Sequence, residues 1–333
     1  MTSSYQKSLS LSTTALGTII TTTAENPFGM WLGLELNMIS FMCYVMFNQQ
    51  RSTLAEVMLK YFLIQAPASS IFIFTMLMSP QITTHIPVIL AMSLKSGMAP
   101  LHSWLPQISE SLEWNQLMIL LSLQKVAPLS IISSNLELKP MMIISILVAA
   151  SAATGALGGI NETSIRKILA YSSIAHMSWI LLSMLTSSMI WIPYFIMYMI
   201  ILTTLIPPLK YSQIYHIPYI FSSKIKSNLI PFILTPLLSL MGLPPLLGFL
   251  PKLMVISMSL MKPLLIMLSL VILSSLITLY YYLRIFSSIS FIKSPSQSIF
   301  TPITPNTPAL LPASIFINLT GIMIMPLITL MHF

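Results

Sequence analysis

Five ionisable side chains lie inside long apolar runs, where a charge needs a reason. Glu35 sits in Trp31-Leu32-Gly33-Leu34-Glu35-Leu36-Asn37, Lys95 in Leu94-Lys95-Ser96-Gly97 and Lys125 in Leu123-Gln124-Lys125-Val126-Ala127-Pro128. Lys252 follows Phe249-Leu250-Pro251, and His176 closes Tyr171-Ser172-Ser173-Ile174-Ala175-His176. At the centre of a bilayer an ammonium or carboxylate costs about 2.5–3.5 kcal/mol even on lenient insertion scales, unless it finds a partner or water. Lys125 is midway along its run, too deep for its stem to reach the interface. A nearby carboxylate favours the charged form of a poorly solvated lysine, so moving that carboxylate or its proton loads or unloads the lysine. Imidazole shuttles protons near neutral pH. Joined by water and Ser/Thr hydroxyls, such groups make a proton wire, and no pocket for a sugar, amino acid or lipid is suggested. Lys60 also lies within a span, near its start, where Glu56 four residues earlier can pair with it on one helix face, so a purely structural pair stands beside a functional reading. His176 and His102 keep two readings, proton carrier or packed, hydrogen-bonded histidine.

These groups must be positioned by membrane helices. Of 333 residues 56% are hydrophobic and 7% charged, against roughly a quarter charged in soluble domains. All seven acids are Glu, with no Asp, and Cys43 is the single cysteine. Carboxylate dyads, oxygen-ligand metal sites, disulfides, Cys-based zinc sites and iron–sulfur ligation therefore lack their residues. The fifteen basic residues give a net charge of +8 but are scattered in ones and twos, which speaks against nucleic acid. Apolar runs near the 20-residue spanning length predict an all-α polytopic membrane protein of about eleven helices: Leu9–Thr23, Phe28–Phe47, Leu54–Met78, Ile82–Leu101, Asn115–Ser133, Met141–Gly159, Ile168–Leu185, Ile190–Leu209, Leu229–Ser259, Leu264–Phe286 and Leu310–Met331. The first is rich in Ser and Thr, and the ninth is interrupted by Gly and Pro.

With alternating spans, Lys7, Arg51, Arg166, Lys167, Lys210, Lys224, Lys226, Arg284 and Lys293 fall on one face and only Lys139 and Lys262 on the other. The positive-inside rule puts the first face, and the N-terminus, on the cytoplasmic or matrix-equivalent side, and the C-terminus opposite. No Arg-rich presequence or cleavable signal precedes the first span, so insertion without a removable leader is expected.

Gly97-Met98-Ala99-Pro100-Leu101-His102-Ser103-Trp104-Leu105-Pro106 returns 145 residues later as Gly242-Leu243-Pro244-Pro245-Leu246-Leu247-Gly248-Phe249-Leu250-Pro251. The shared pattern is G-x-x-P-L-x-x-[WF]-L-P. An offset of about five crossings inverts the second copy, and inverted repeats with Gly/Pro-broken helices mark transporter sites at the breaks. Chance in a chain with 24 prolines is the competing account. Backbone groups freed at a break need protein or water, so the breaks are expected to face away from lipid.

The segments quoted above, with Lys60-Tyr61-Phe62-Leu63-Ile64-Gln65, resemble the antiporter-like membrane subunit family of respiratory NADH:ubiquinone oxidoreductase, complex I. The resemblance runs from the second span to the ninth; the last 70 or so residues match mainly in hydropathy. It implies two inverted five-helix repeats, residues 1–134 and 135–290, followed by a loop and a final transmembrane helix in 291–333. Glu35 resembles the family carboxylate that modulates a nearby lysine, here Lys95. Lys125 resembles the connecting lysine of the hydrophilic axis, Lys252 the lysine on the second broken helix, and His176 a histidine near that axis. The resemblance further implies the mitochondrial inner membrane, with the N-terminus in the matrix and the C-terminus in the intermembrane space. Expected partners are other membrane-arm subunits, neighbouring antiporter-like subunits among them, and lipids such as cardiolipin. No cofactor is expected in this chain; NADH, FMN, iron–sulfur clusters and ubiquinone would belong to other subunits.

Two further readings compete with a proton-translocating subunit coupled to distant quinone reduction. One is a free-standing cation/proton antiporter, which the repeat equally supports. The other is a structural membrane-arm scaffold whose charges only hold helices together.

Overall fold

A computed structural model describes residues 2–47, 52–78, 85–135, 141–187, 189–222, 229–262, 264–290 and 314–321. Among the described residues these helices run in chain order: α1 (Thr2–Thr23), α2 (Pro27–Met46), α3 (Ser52–Met78), α4 (His85–Ser96), α5 (Trp104–Ser111), α6 (Trp114–Leu121), α7 (Leu123–Asn135), α8 (Met141–Gly158), α9 (Ile165–Thr186), α10 (Trp191–Ser212), α11 (Ile217–Ser222), α12 (Ile230–Met241), α13 (Phe249–Leu260) and α14 (Leu265–Ser290). Residues 314–321 form a final helical stretch within the expected eleventh span. No strand occurs among the described residues. Among the described residues seven segments are long and apolar enough to cross a membrane, and α12 and α13 are shorter apolar helices. The all-α, multi-pass architecture is therefore as expected. Arg51, Lys139, Lys224, Lys226 and Lys293, five of the eleven residues that carry the charge asymmetry, lie outside the described residues.

The chain divides into two compact units, Met1–Ser151 and Ala152–Phe333. In the first, the Ser/Thr-rich α1 starts at Thr2, earlier than its hydropathy suggests, and its polarity has a packing reason. Ser10, Thr14, Thr18 and Thr21 are buried, and each hydroxyl donates to a carbonyl three residues back. Leu9, Leu16, Ile19 and Ile20 point outward. The helix thus buries its small polar face and exposes its apolar one, as suits a helix in lipid, where small residues let backbones meet. A Cβ on Gly17 would stand 2.9 Å from the backbone N of Asn37, and one on Gly33 would stand 2.8 Å from the Gly17 carbonyl. The crossing of α1 on α2 is set by these two glycines.

Both predicted breaks are present and share one backbone conformation. Gly97 ends α4 at φ 73° and Gly242 ends α12 at φ 76°, and the Ala99–Pro100 and Pro244–Pro245 bonds are both cis. Positive φ is where glycine carries no Cβ penalty, so it closes each half-helix. In the first break the N–H groups of Gly97 and Met98 return to the carbonyls of Leu94 and Ser93, and the Trp104 indole donates to Leu94 O at 3.0 Å. In the second, Gly242 N–H returns to Ser239 O, and the aromatic at the matching position is Phe249, which has no donor.

The expected single span Asn115–Ser133 is interrupted at Ser122, between α6 and α7. Ser122 has φ −115° and ψ −87°, and its hydroxyl donates to Met118 O at 2.5 Å. Three residues on, Lys125 N–H donates to Ser122 O. Pro128, inside α7, has no N–H to continue the ladder, so helix-opening features flank Lys125 on both sides.

Candidate functional site

In the first unit, α2, α3, α4 and α7 bring three of the five candidates into one buried polar assembly. Glu35 projects from α2 and accepts a hydrogen bond from the Ser69 hydroxyl on α3. Its charge also acts on the Lys95 ammonium in the last turn of α4. Lys95 is 6% exposed. The carbonyl of Lys95 accepts from the Gln65 side chain at 3.3 Å. Tyr61, Gln65 and Ser69, spaced by four on α3, form a stripe of buried polar side chains facing this assembly.

The stripe leads to Lys125. The Tyr61 hydroxyl donates to the Gln124 amide oxygen at 3.2 Å, and the Gln124 amide nitrogen donates to Asn37 Oδ1 at 2.9 Å. Asn37 stands two residues beyond Glu35, and Gln124 immediately precedes Lys125. Lys125 itself is 1% exposed, and its Nζ has no hydrogen-bond partner among the described residues. A lysine so placed has no hydrogen-bond partner among the described residues to offset the desolvation of its charged form, which a purely structural lysine would require.

In the second unit, Lys252 and His176 line one small cavity together with Ser172, Trp179, Thr278 and Tyr282. Lys252, near the start of α13, reaches back to the end of α12, where its Nζ donates to Met241 O at 3.0 Å. The negative end of a half-helix favours a cation there. The ammonium also lies 5.9 Å from the centroid of the Trp179 ring, the outer limit of a cation–π contact. His176 Nδ1 is 2.9 Å from the Tyr194 hydroxyl, and its ring packs 4.9 Å from that of Tyr198. Hydroxyls, imidazole and ammonium around one cavity have the chemistry for passing a proton through water.

Other charged side chains have local roles. Lys60 pairs with Glu56 at 2.6 Å on an exposed face of α3. Arg166 stacks 4.7 Å over Tyr215, and Lys167 is 3.7 Å from Glu162. Arg284 donates to the carbonyls of Ile160 and Glu162 after α8, and Lys262 to those of Leu185 and Thr186 at the end of α9. His102 is hydrogen-bonded to Pro100 O within the break. Among the described residues no group of three or more His, Cys, Asp or Glu side chains could hold a metal ion.

Sequence reasoning missed Asn37, Tyr61, Gln65, Ser69, Gln124, Trp179 and Tyr194. The spacing of Tyr61, Gln65 and Ser69 was a usable signal. The aromatic partners carried none.

The family description "NADH:quinone oxidoreductase/Mrp antiporter, TM" matches residues 78–278, which hold both breaks, Lys95, Lys125, His176 and Lys252. "NADH-ubiquinone oxidoreductase chain 2" of Anopheles gambiae is 36% identical over 293 residues, covering 85% of each chain. This chain belongs to that family of transmembrane subunits. Among solved structures, a chain of respiratory complex I from Thermus thermophilus superposes with a TM-score of 0.83 at 22% identity, over 97% of this chain and 80% of that one. A chain of the Mrp complex from Dietzia gives 0.77 at 15% identity, over 96% and 74%. At those identities the family likeness extends to the fold. Glu35 and residues 314–321 fall outside the matched 78–278 segment, though both contact residues within it.

Proposed function

We propose that this chain is a core membrane-arm subunit of NADH:ubiquinone oxidoreductase, complex I, that translocates protons across the mitochondrial inner membrane. Membership rests on the 36% identity to the Anopheles gambiae chain over 85% of both sequences. In this reading electron transfer from NADH to ubiquinone takes place in other subunits, which hold NADH, FMN, iron–sulfur clusters and the quinone. Other subunits of the complex are its partners, including neighbouring antiporter-like subunits, with cardiolipin at the interfaces. The N-terminus faces the matrix and the C-terminus the intermembrane space, following the nine-to-two distribution of basic residues. Residues 1–134 and 135–290 act as the two inverted five-helix repeats, and 291–333 supply a loop and the last helix.

The proton-carrying residues are Glu35, Lys95, Lys125, His176 and Lys252. What supports this reading above all is Lys125, an ammonium 1% exposed beside an interrupted helix with no partner among the described residues. Glu35 modulates Lys95, Lys125 continues the path, and Lys252 and His176 exchange protons across their shared cavity. Moving a proton against the membrane potential takes about 2.3 kcal/mol per 100 mV, so the driving force comes from the redox reaction elsewhere in the complex.

The test is Lys125→Met in the assembled complex, with assembly read by native gel and both quinone reduction and proton pumping measured. Loss of both activities with assembly intact is expected. Unchanged pumping per electron would return the chain to a scaffold role, and cation/proton exchange by the purified chain alone would favour a free-standing antiporter.

A further inference from the structure

Of the buried groups not used above, the final helix stretch, residues 314–321, makes the contacts that bear most directly on the second break. Within the break, Leu247 N–H has no partner in its own helices and donates instead to the backbone carbonyl of Asn318 at 3.1 Å. In lipid such a freed N–H must be satisfied by protein. Asn318 is fully buried and is itself pinned: its Nδ2 donates to Thr204 Oγ1 on α10 at 3.1 Å and to Ser314 O at 2.7 Å. One turn on, a Cβ at Gly321 would lie 2.5 Å from Leu247 N and 2.6 Å from the Leu246 carbonyl carbon. The last helix therefore meets the break backbone to backbone. On its other side the break is equally close to α12, where Gly248 packs against the carbonyl of Ser239. Lys252 leaves α13 four residues after Gly248 and reaches Met241 O at the end of α12. Any shift of the 242–248 backbone moves the ammonium relative to that carbonyl.

We infer that Asn318 and Gly321 are positioning residues for Lys252: the last helix clamps the second break against α12 and so fixes the lysine at the α12 terminus. This deepens the proposed proton path and rests on the reading of Lys252 as a proton carrier. Neither residue touches the lysine; both act through the break.

The experiment places Gly321→Val and Asn318→Leu in the assembled complex, with Phe316→Ala as a control, since Phe316 is 73% exposed on the same helix. At parental assembly on native gels, both variants are expected to lower kcat several-fold while the KM for quinone stays at its parental value, and the control to change neither. A second readout is the double variant with Gly242→Ala, which displaces Lys252 directly. Its kcat is expected to equal that of the poorer single variant, whereas multiplied losses would mean that Gly321 acts independently of the lysine and would overturn the inference. Parental kcat in Gly321→Val, or a loss that tracks reduced assembly, would also overturn it. Lys252→Met separates the two levels. If it abolishes turnover while Gly321→Val does not lower it, the clamp alone fails; if Lys252→Met retains full turnover, the proton-carrier reading fails.

Discussion

Gly242→Ala tests whether the placement of Lys252 matters apart from the integrity of the break. The backbone there is left-handed, φ 76°, and a new Cβ would meet Lys252 Nζ at 2.6 Å and Cε at 2.9 Å. A non-glycine residue in this region costs about 1–2 kcal/mol. The colliding atoms are the far end of a flexible side chain, so the lysine swings away and the helices stay. What is lost with it is the charge-assisted hydrogen bond to Met241 O, worth about 1.5–3 kcal/mol, or roughly tenfold to a hundredfold in an equilibrium at 1.36 kcal/mol per decade. Gly97→Ala is the matched comparison. It has the same backbone cost at φ 73°, but the atoms nearest its Cβ would be those of Leu105 and Trp104, at 3.2–3.4 Å. With both variants assembled to parental levels, quinone turnover and proton pumping in reconstituted vesicles are expected to fall about tenfold or more further in Gly242→Ala than in Gly97→Ala. Equal losses would refute the reasoning, because backbone strain alone would then explain both.

Glu35→Gln, which keeps the shape but removes the charge acting on Lys95, is expected to depress turnover strongly at normal assembly, and Ser69→Ala, which removes only a donor to Glu35, to depress it less; the order of the two rates is the check. Asn37→Leu and Gln124→Leu break the same hydrogen bond, so their effects on turnover should be non-additive, with a coupling of about 0.5–3 kcal/mol in a double-mutant cycle; additive effects would remove this contact from the path to Lys125. Glu56→Gln with Lys60→Gln takes away an exposed pair apart from the proposed proton carriers, and parental turnover and pumping are expected.

The elements of this fold were legible wherever hydropathy and Gly/Pro punctuation carried them. The repeated G-x-x-P-L-x-x-[WF]-L-P located both breaks, since positive φ at Gly97 and Gly242 is a backbone demand that the residue type announces. Less was legible in α1, where hydropathy looks for an apolar face turned inward and the helix does the reverse, burying Ser10, Thr14, Thr18 and Thr21 against α2. The interruption at Ser122 carried no Gly or Pro to mark it. Pro128 hinted at it from six residues away, and the Ser122 hydroxyl bond to Met118 O is a local side-chain bond four residues back that hydropathy does not register.

The candidate site divides the same way. Charges in apolar runs identify themselves, because each is expensive in lipid, and Glu35, Lys95, Lys125 and Lys252 stand out by that cost, whereas His176 stands out only as an imidazole within a span. Their neutral partners could not. Asn37 and Gln124 are cheap enough in a helix to pass for packing until the 2.9 Å contact between them is seen. The two breaks carry the sharper lesson, because their backbones are alike and the charges beside them are not. Lys95 stands before its break and answers to a carboxylate on another helix. Lys252 stands after its break and answers to a main-chain carbonyl and an indole ring. A carboxylate can gain or lose a proton and so change its hold on a lysine, whereas a carbonyl dipole holds the same charge at all times. In the proposed path, control of the second lysine therefore has to come from its position, or from the hydroxyls and His176 across its cavity, and Gly242 leaves the space that Lys252 Nζ occupies.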